Sequence, residues 1–211
     1  MPSGRAAKTK PKRNTTSPIA AIGLVFMAIG VYIAASTFWP VLLVELGYDL
    51  KHIVPNNSTK QRPIEPVDRT YGIVIPKIGA NAHVIADVNP FDPIAYQRAL
   101  TKGVAQARGT GIPGKGGNIF LFSHSSVNFY EASRYNSVFY LLTKMEKDDR
   151  IIVYYHNERY LYAVTATYTV KPTDVRFLTE NNVGEETVTL MTCWPPGTSY
   201  ERLLVIAERI K

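Results

Sequence analysis

The sequence predicts an all-β domain, of the barrel or sandwich kind, preceded by one N-terminal transmembrane helix. A run of 26 uncharged residues, Ile19 to Val44, comes early in the 211-residue chain. From Tyr71 onward the apolar segments are mostly short, rich in β-branched and aromatic residues, and separated by glycine, proline and asparagine turns, which is the pattern of short strands. We therefore divide the chain into a basic cytoplasmic tail (1–18), a transmembrane helix (19–44), an extracellular linker (45–69) and a β domain (70–211).

The uncharged run is long enough to cross a membrane. At about 1.5 Å per residue, Ile19 to Trp39 alone would span the roughly 30 Å hydrocarbon core. Trp39 would suit the outer interface and Pro40 the end of the helix. The tail carries five basic residues and no acidic one, so it is expected to stay in the cytoplasm and leave the β domain outside the cell membrane. A cleaved signal peptide and a buried core helix are the alternatives, although this run exceeds a typical signal core.

Between the helix and the β domain, Glu45 to Arg69 is polar and contains three prolines. This composition predicts an extended stalk. The β domain from residue 70 has 15 basic and 13 acidic residues, a net charge of only +2. The chain's basic excess therefore belongs to the tail, and no nucleic-acid-binding surface is predicted.

The first half of the β domain is predicted to hold three strands and a helix. Tyr71 to Gly79 is typical of a strand and turn, and His83 to Ala86 of a second strand. Asp92 to Leu100 predicts a short helix capped by Asp92, because proline follows at the first helical position. Gly103 to Gly117 is rich in turns and matches no nucleotide-binding glycine motif. It leads into the apolar segment Ile119 to Ser126, which carries His124.

The second half is predicted to hold four strands. Asn136 to Met145 suggests a short helix or turn. Ile151 to Tyr155 and Tyr160 to Val170 flank a turn and predict a hairpin. Lys171 to Gly184 is a predicted loop before the strand Thr187 to Thr192. A last apolar segment of strand type begins after Arg202.

The chain's single cysteine lies between these last two strands. Cys193 follows the strand, Pro195 and Gly197 then favour a turn, and Arg202 opens the next strand. If the two strands pair, the thiol and the guanidinium meet at one end of a sheet. A lone cysteine is usually a small buried hydrophobe, but a single thiol in an exported protein can also be reactive.

Three segments resemble the sortases, a family of membrane-anchored cysteine transpeptidases. Thr-Leu-Met-Thr-Cys ends at Cys193, with Arg202 nine residues later. Ile-Pro-Lys-Ile-Gly ends at Gly79, and a glycine-rich loop with Asn118 precedes the strand that ends at His124. The short Cys-to-Arg loop is most similar to class D or E members. The resemblance implies a closed sortase-type β-barrel with short helices from Tyr71 to the C-terminus.

The resemblance also implies catalytic roles, and the chemistry of each side chain agrees with them. Cys193 would be the nucleophile, because a covalent thioester divides a difficult acyl transfer into two easier steps. His124 would be the general acid and base, since histidine titrates near neutral pH. Arg202 would stabilise the oxyanion with its permanent charge and several donors. Thr192 and Trp194 would contact substrate, whereas Ser123, where sortases commonly have glycine, would narrow the loop at the histidine.

The implied partners are secreted proteins with a C-terminal sorting signal of the Leu-Pro-x-Thr-Gly kind, an amine acceptor in the cell wall or on a pilin, and membrane lipid around residues 19–44. No cofactor and no metal is predicted, because zinc-ligand spacings are absent. The acidic residues at 146, 148 and 149 are typical of a solvated turn, although some sortases use a carboxylate-lined calcium site.

Two alternatives remain open from the sequence. An L,D-transpeptidase is also a cysteine acyltransferase, but its His-Gly and Ser-x-Gly-Cys patterns are missing here. A membrane-tethered, non-catalytic β domain that binds wall or partner proteins is the second alternative. In that protein Cys193 would be inert and buried.

Overall fold

The computed structural model describes residues 18–53, 64–125, 138–179, 185–196 and 198–210. The chain divides into an N-terminal unit that ends at Lys51 and a C-terminal unit that begins at His52. The predicted cytoplasmic tail lies outside the described residues, except for Pro18.

Helix α1 runs from Pro18 to Ile53. It continues through Pro40 and nine residues past the predicted end at Val44, so the predicted helix exit and the first part of the predicted extended stalk are wrong. One proline removes a single backbone hydrogen bond, whereas the leucines that follow it favour helix. Among the residues that the structure describes, no helix combines the length and the apolar character of a membrane span. Residues 54–63 of the predicted stalk lie outside that description.

The C-terminal unit is a closed barrel of eight strands, which confirms the predicted all-β class and decides for a barrel over a sandwich. Its order is β1-β2-β3-β4-β7-β8-β6-β5. The β2–β3 and β4–β7 pairs are parallel and the other pairs antiparallel. The strands are β1 (Tyr71–Ile75), β2 (Ala80–Val88), β3 (Val104–Ala107), β4 (Gly117–Phe122), β5 (Arg150–Tyr155), β6 (Glu158–Val170), β7 (Glu186–Trp194) and β8 (Glu201–Ile210).

Short helices complete this unit. They are α2 (Pro93–Leu100), α3 (Arg176–Thr179) and two 3-10 turns (Pro76–Ile78 and Tyr140–Lys144). The predicted cap of α2 is confirmed, because the Asp92 carboxylate accepts hydrogen bonds from the amides of Ile94 and Ala95 at 3.0 and 3.1 Å. The predicted hairpin between β5 and β6 is also confirmed. His156 and Asn157 both have positive φ, as a two-residue type I′ turn requires.

Strand β3 lies in the region from Gly103 to Gly117, for which the sequence predicts turns, and this part of the prediction is wrong. The strand has only four residues, and Val104 is its one β-branched residue, so the strand signal is weak. A Cβ at Gly103 would lie 2.4 Å from the His83 carbonyl oxygen. Glycine is needed at that position because β2 and the chain entering β3 approach closely there.

Buried side chains form two clusters. The interior cluster fills the barrel and includes Leu121, Leu190 and Val205. The outer cluster lies on the outside of the barrel, where α2 and the segment between β6 and β7 cover it. Its members on the strands include Phe120, Phe122, Met191 and Leu204. Because successive side chains of a strand face opposite ways, these two clusters identify which face each strand residue occupies.

The segment before β1 is fixed to β2. The side chain of Asn81 accepts a hydrogen bond from the Val67 amide at 2.9 Å and donates one to the Glu65 carbonyl oxygen at 2.7 Å. Asp68 pairs with the ring of His83 at 3.0 Å, and this contact holds the pKa of the Asp68 carboxyl below its ordinary value. His83, predicted to have no chemical role, therefore has a structural contact.

A buried carboxylate ties the start of β7 to three other parts of the barrel. Glu186, whose side chain is 6% exposed, accepts hydrogen bonds from the Tyr162 hydroxyl and from Arg209 at 3.0 Å. It also accepts from the amides of Gly114 and Gly116 at 2.9 and 3.3 Å. The pKa of Tyr162 is raised well above its ordinary value by burial and by this carboxylate. Glu186 thus anchors the glycine-rich β3–β4 loop.

We predict that Glu186→Gln lowers the free energy of unfolding of the barrel by about 1–3 kcal/mol. Hydrogen bonds to a carboxylate are stronger than those to a neutral amide. The new side-chain NH₂ group would also face the N–H and O–H donors that now bond to the carboxylate. Thermal and denaturant unfolding measure the change. The matched control is Glu185→Gln, since Glu185 is exposed and adjacent. Equal stability of the two variants would contradict the anchoring role of Glu186.

Candidate active site

Cys193 and Arg202 are direct cross-strand partners. Strand β7 pairs antiparallel with β8, and Cys193 lies opposite Arg202 in that register. The pairing that the sequence left open therefore exists. Directly opposed residues place their Cβ atoms about 4.5–5.5 Å apart on the same face of the sheet. The thiol and the guanidinium consequently share one end of the barrel.

The face they share is the outer one. Leu190 belongs to the interior cluster, whereas Met191 packs in the outer cluster. Cys193 is two residues beyond Met191 and therefore lies on the same outer face. It is half-buried, so the thiol is not enclosed within the barrel interior.

His124 approaches the same point from the neighbouring strand. Strand β4 runs parallel to β7, and Phe122 lies opposite Met191. The pairing extends one residue further, because the Ser123 amide donates to the Met191 carbonyl oxygen at 3.1 Å. Strand β4 ends at Phe122, and a further step in the same register would place position 124 beside position 193, on the outer face that Phe122 occupies. His124 is half-buried.

Arg202 holds the chain that connects β7 to β8. Its Nη1 donates to the carbonyl oxygens of Ser199 and Glu201 at 3.2 and 3.0 Å. Both bonds come from one of the three guanidinium nitrogens, and the other two nitrogens also carry N–H donors. Arg202 can therefore brace this connection and still donate towards Cys193.

Thr192 links β7 to the strand that carries the histidine. It is buried, 3% exposed, and its hydroxyl donates to the carbonyl oxygen of Ser123 at 3.0 Å. Its predicted contact with substrate stays a prediction, since the structure gives this hydroxyl a different partner. Trp194 packs against the interior cluster. This placement corresponds to a side chain that closes the end of the barrel, and its substrate contact also stays a prediction.

Ser123 makes two hydrogen bonds to β7. Its amide donates to the Met191 carbonyl oxygen, and its carbonyl oxygen accepts from the Thr192 hydroxyl. The residue is 5% exposed. Among the described residues, its hydroxyl has no hydrogen-bond partner. Residues 126–137, which follow the histidine, lie outside the described residues. The expectation that Ser123 narrows the loop at the histidine therefore stays a prediction.

Asn118 has a role that sequence reasoning missed. Its side-chain oxygen accepts a hydrogen bond from the Thr189 hydroxyl at 2.8 Å, and its amide donates to the Phe177 carbonyl oxygen at 3.0 Å. It therefore fastens the segment between β6 and β7 to the outer face of β4. The sequence signal for this role was weak. Thr187 and Thr189 are two residues apart in β7 and therefore share its outer face, which indicates a polar partner there.

The acidic cluster that follows the second 3-10 turn is engaged by a lysine. Lys77 Nζ lies 2.6 Å from Glu146 and 2.8 Å from Asp149. Within the described ranges, no group of three metal-ligating side chains is found.

A closed barrel with a cysteine, a histidine and an arginine at one end has the groups that acyl transfer through a thioester needs. A family model described as a sortase domain matches residues 73–210. The chain therefore belongs to the sortase family, whose members are cysteine transpeptidases.

Solved structures support this membership. Sortase C-1 from Actinomyces oris is 28% identical, with 69% of this chain and 76% of that chain covered and a TM-score of 0.57. A lid mutant of sortase A from Corynebacterium diphtheriae is 25% identical, covers 74% of this chain and 75% of that chain, and has a TM-score of 0.57. A sortase D5 transpeptidase from Clostridium perfringens shares the fold at 23% identity, with 70% and 82% covered and a TM-score of 0.54. Comparison with curated proteins gave no match.

We predict that Thr192→Val lowers turnover about tenfold or more, because loss of the hydroxyl frees the Ser123 carbonyl and loosens the position of His124. Effective alignment of reacting groups is sensitive to displacements of about 1 Å. Thr192→Ser keeps the hydroxyl and is the control. Rates with a signal peptide measure the effect, and unchanged turnover in Thr192→Val would contradict the positioning role.

Proposed function

We propose that this sortase is a membrane-anchored transpeptidase that cleaves a Leu-Pro-x-Thr-Gly-like sorting signal after the threonine. It would hold the threonine acyl group as a thioester on Cys193 and pass it to an amine of a cell-wall precursor or a pilin lysine. The observation that carries this proposal is the cross-strand pairing of Cys193 with Arg202. The short Cys-to-Arg loop supports an assignment to class D or E.

In the first half of the reaction, the Cys193 thiolate attacks the threonine carbonyl carbon. A carbon–sulfur bond forms, and the carbonyl electron pair moves to the oxygen. When the tetrahedral intermediate collapses, the bond to the glycine nitrogen breaks. The protonated ring of His124 gives its proton to that nitrogen, and the thioester remains on the enzyme.

In the second half, the acceptor amine attacks the thioester carbon. His124, now neutral, takes a proton from the amine, and collapse of the second intermediate expels the Cys193 thiolate. The new amide bond joins the sorted protein to its acceptor. The net reaction exchanges one amine for another and needs no oxidant or metal.

Both tetrahedral intermediates carry a negative oxygen. The guanidinium of Arg202 is permanently charged and lies next to the nucleophile in the register, so it is suited to stabilise that oxygen. Its bonds to the carbonyls of Ser199 and Glu201 restrict its movement. A donor that is already oriented needs little reorganisation when charge develops.

The proposal extends to the N-terminal part of the chain. We propose that residues 19–44 anchor the protein in the cell membrane, with the N-terminal tail in the cytoplasm and the barrel outside. The uncharged run of 26 residues lies within the single helix α1, and the tail before it is basic. Recovery of the full chain in the soluble fraction of its cells, instead of the membrane fraction, would contradict this anchoring.

We predict that the purified full chain, incubated with a Leu-Pro-x-Thr-Gly peptide, gains the mass of the acyl fragment ending at threonine. Intact-protein mass spectrometry measures the adduct, and a small amine such as triglycine should remove it. Cys193→Ala is the control and should gain no mass. Absence of an adduct across a library of signal peptides would contradict the proposed function.

We predict that Arg202→Lys lowers turnover about a hundred- to thousandfold, the usual effect of losing one oxyanion donor. Lysine keeps the charge but loses the planar fork. Arg159→Lys, an exposed position in β6, is the matched control. Near-normal turnover in Arg202→Lys, with an unchanged melting temperature, would remove Arg202 from this role.

A further inference from the structure

A cleft of about 500 Å³ opens on the outer face of the barrel, away from the catalytic end. It lies between the loop that joins β2 to α2 and the segment that joins β6 to β7. The catalytic mechanism uses none of its residues. The lining includes Asn89, Pro90, Phe91, Arg108, Val175 and Leu178.

Strand registers give the separation of the cleft from the nucleophile. Gly109, which also lines the cleft, is two residues before Gly111, whose amide donates to the Asn118 carbonyl oxygen at 2.7 Å, so this side of the cleft lies near the level of Asn118. Asn118 in turn lies opposite Thr187. Thr187 precedes Cys193 by six residues in one strand, which corresponds to about 20 Å at roughly 3.3 Å per residue.

The cleft is continuous with the outer face that carries Cys193. Leu178 lines the cleft and also packs against the outer cluster, to which Met191 belongs. The same segment is fastened to β4 by the bond between Asn118 and the Phe177 carbonyl. The cleft therefore borders the same outer face of the barrel on which Cys193 lies.

The surface of the cleft suits an apolar side chain. Phe91 is 71% exposed and Val175 is 44% exposed, although both are large hydrophobic residues. Arg108 at the rim pairs with Asp87 through Nε and Oδ1 at 3.0 Å, so its charge is balanced. Exposed apolar surface beside a balanced charge favours an uncharged, apolar ligand.

The length of a bound signal indicates which residue would reach the cleft. With the threonine carbonyl on Cys193, the four residues Leu-Pro-x-Thr extend about 13 Å when fully stretched. The cleft is about 20 Å away, which is about two residues further at roughly 3.3 Å per residue. We infer that the cleft binds an apolar side chain at one of the two positions immediately before the sorting signal. This inference rests on the proposed function and adds a specificity pocket to it.

The test compares three peptides with the full chain in detergent. One begins at the leucine of the signal with an acetyl cap, one has two glycines before the leucine, and one has two phenylalanines there. The wild type should prefer the phenylalanine peptide over the glycine peptide by about five- to tenfold in kcat/KM, the effect of a partly open apolar pocket.

Phe91→Ala should remove this preference and leave the capped peptide unaffected. Ile94→Ala is the matched control, since Ile94 is 72% exposed and does not line the cleft within the described residues. Val175→Asp is a second variant and should also reduce the preference, because it places a charge in the apolar surface. Phe91 and Val175 lie in different segments of the chain. A local folding defect caused by one substitution would therefore not explain a loss of preference in both variants.

Cleavage of the capped peptide without any preference for phenylalanine would overturn the cleft inference alone. Equal slowing of all three peptides by Phe91→Ala would also overturn it, because Phe91 would then act on the catalytic end. Failure of the wild type to cleave any of the three peptides would overturn the proposed function, and the inference with it.

Discussion

The position of β7 between β4 and β8 is the constraint on which the active site depends. Its antiparallel register with β8 sets Arg202 opposite Cys193, and its parallel register with β4 leads His124 towards the same residue. Residues from distant parts of the chain are therefore brought to one end of the barrel because two ladders share one strand. A slip of one residue in either ladder would turn His124 or Arg202 to the opposite face from Cys193.

The interior cluster and two polar contacts hold these registers. Leu190 is fully buried in the barrel, so a shift of β7 would expose it and bury Cys193 or Met191 in its place. At the end of β7 that carries Cys193, the Thr192 hydroxyl donates to the Ser123 carbonyl oxygen. At the opposite end, the Glu186 carboxylate binds Arg209 of β8 and amides of the β3–β4 loop. Both ends of β7 are thus fixed to their neighbours.

The sequence was sufficient where the signal was local. The cap at Asp92, the β5–β6 hairpin and the strand before Cys193 follow from residue type and spacing, and the structure confirms them. Strand β3 was missed because short alanine-rich strands depend on their neighbours for stability. Residue patterns alone did not separate a barrel from a sandwich, because the parallel β2–β3 and β4–β7 pairings are long-range. The hydrogen bond from Thr192 to the Ser123 carbonyl oxygen also depends on the parallel β4–β7 pairing, which local sequence patterns do not reveal.

The most direct measurement of the central claim uses the chain's single cysteine as one half of a crosslink. In the variants His124→Cys and Arg202→Cys, mild oxidation should form a disulfide within one chain, because neighbouring strands bring the Cα atoms within the roughly 4.4–6.8 Å that a disulfide needs. Glu201→Cys lies opposite Trp194 and faces away from Cys193, so it should crosslink much more slowly. Peptide mapping of monomeric protein distinguishes the products. Efficient crosslinking at positions 124 and 202 is the predicted result, whereas failure at both, or equal efficiency at 201, would contradict the account.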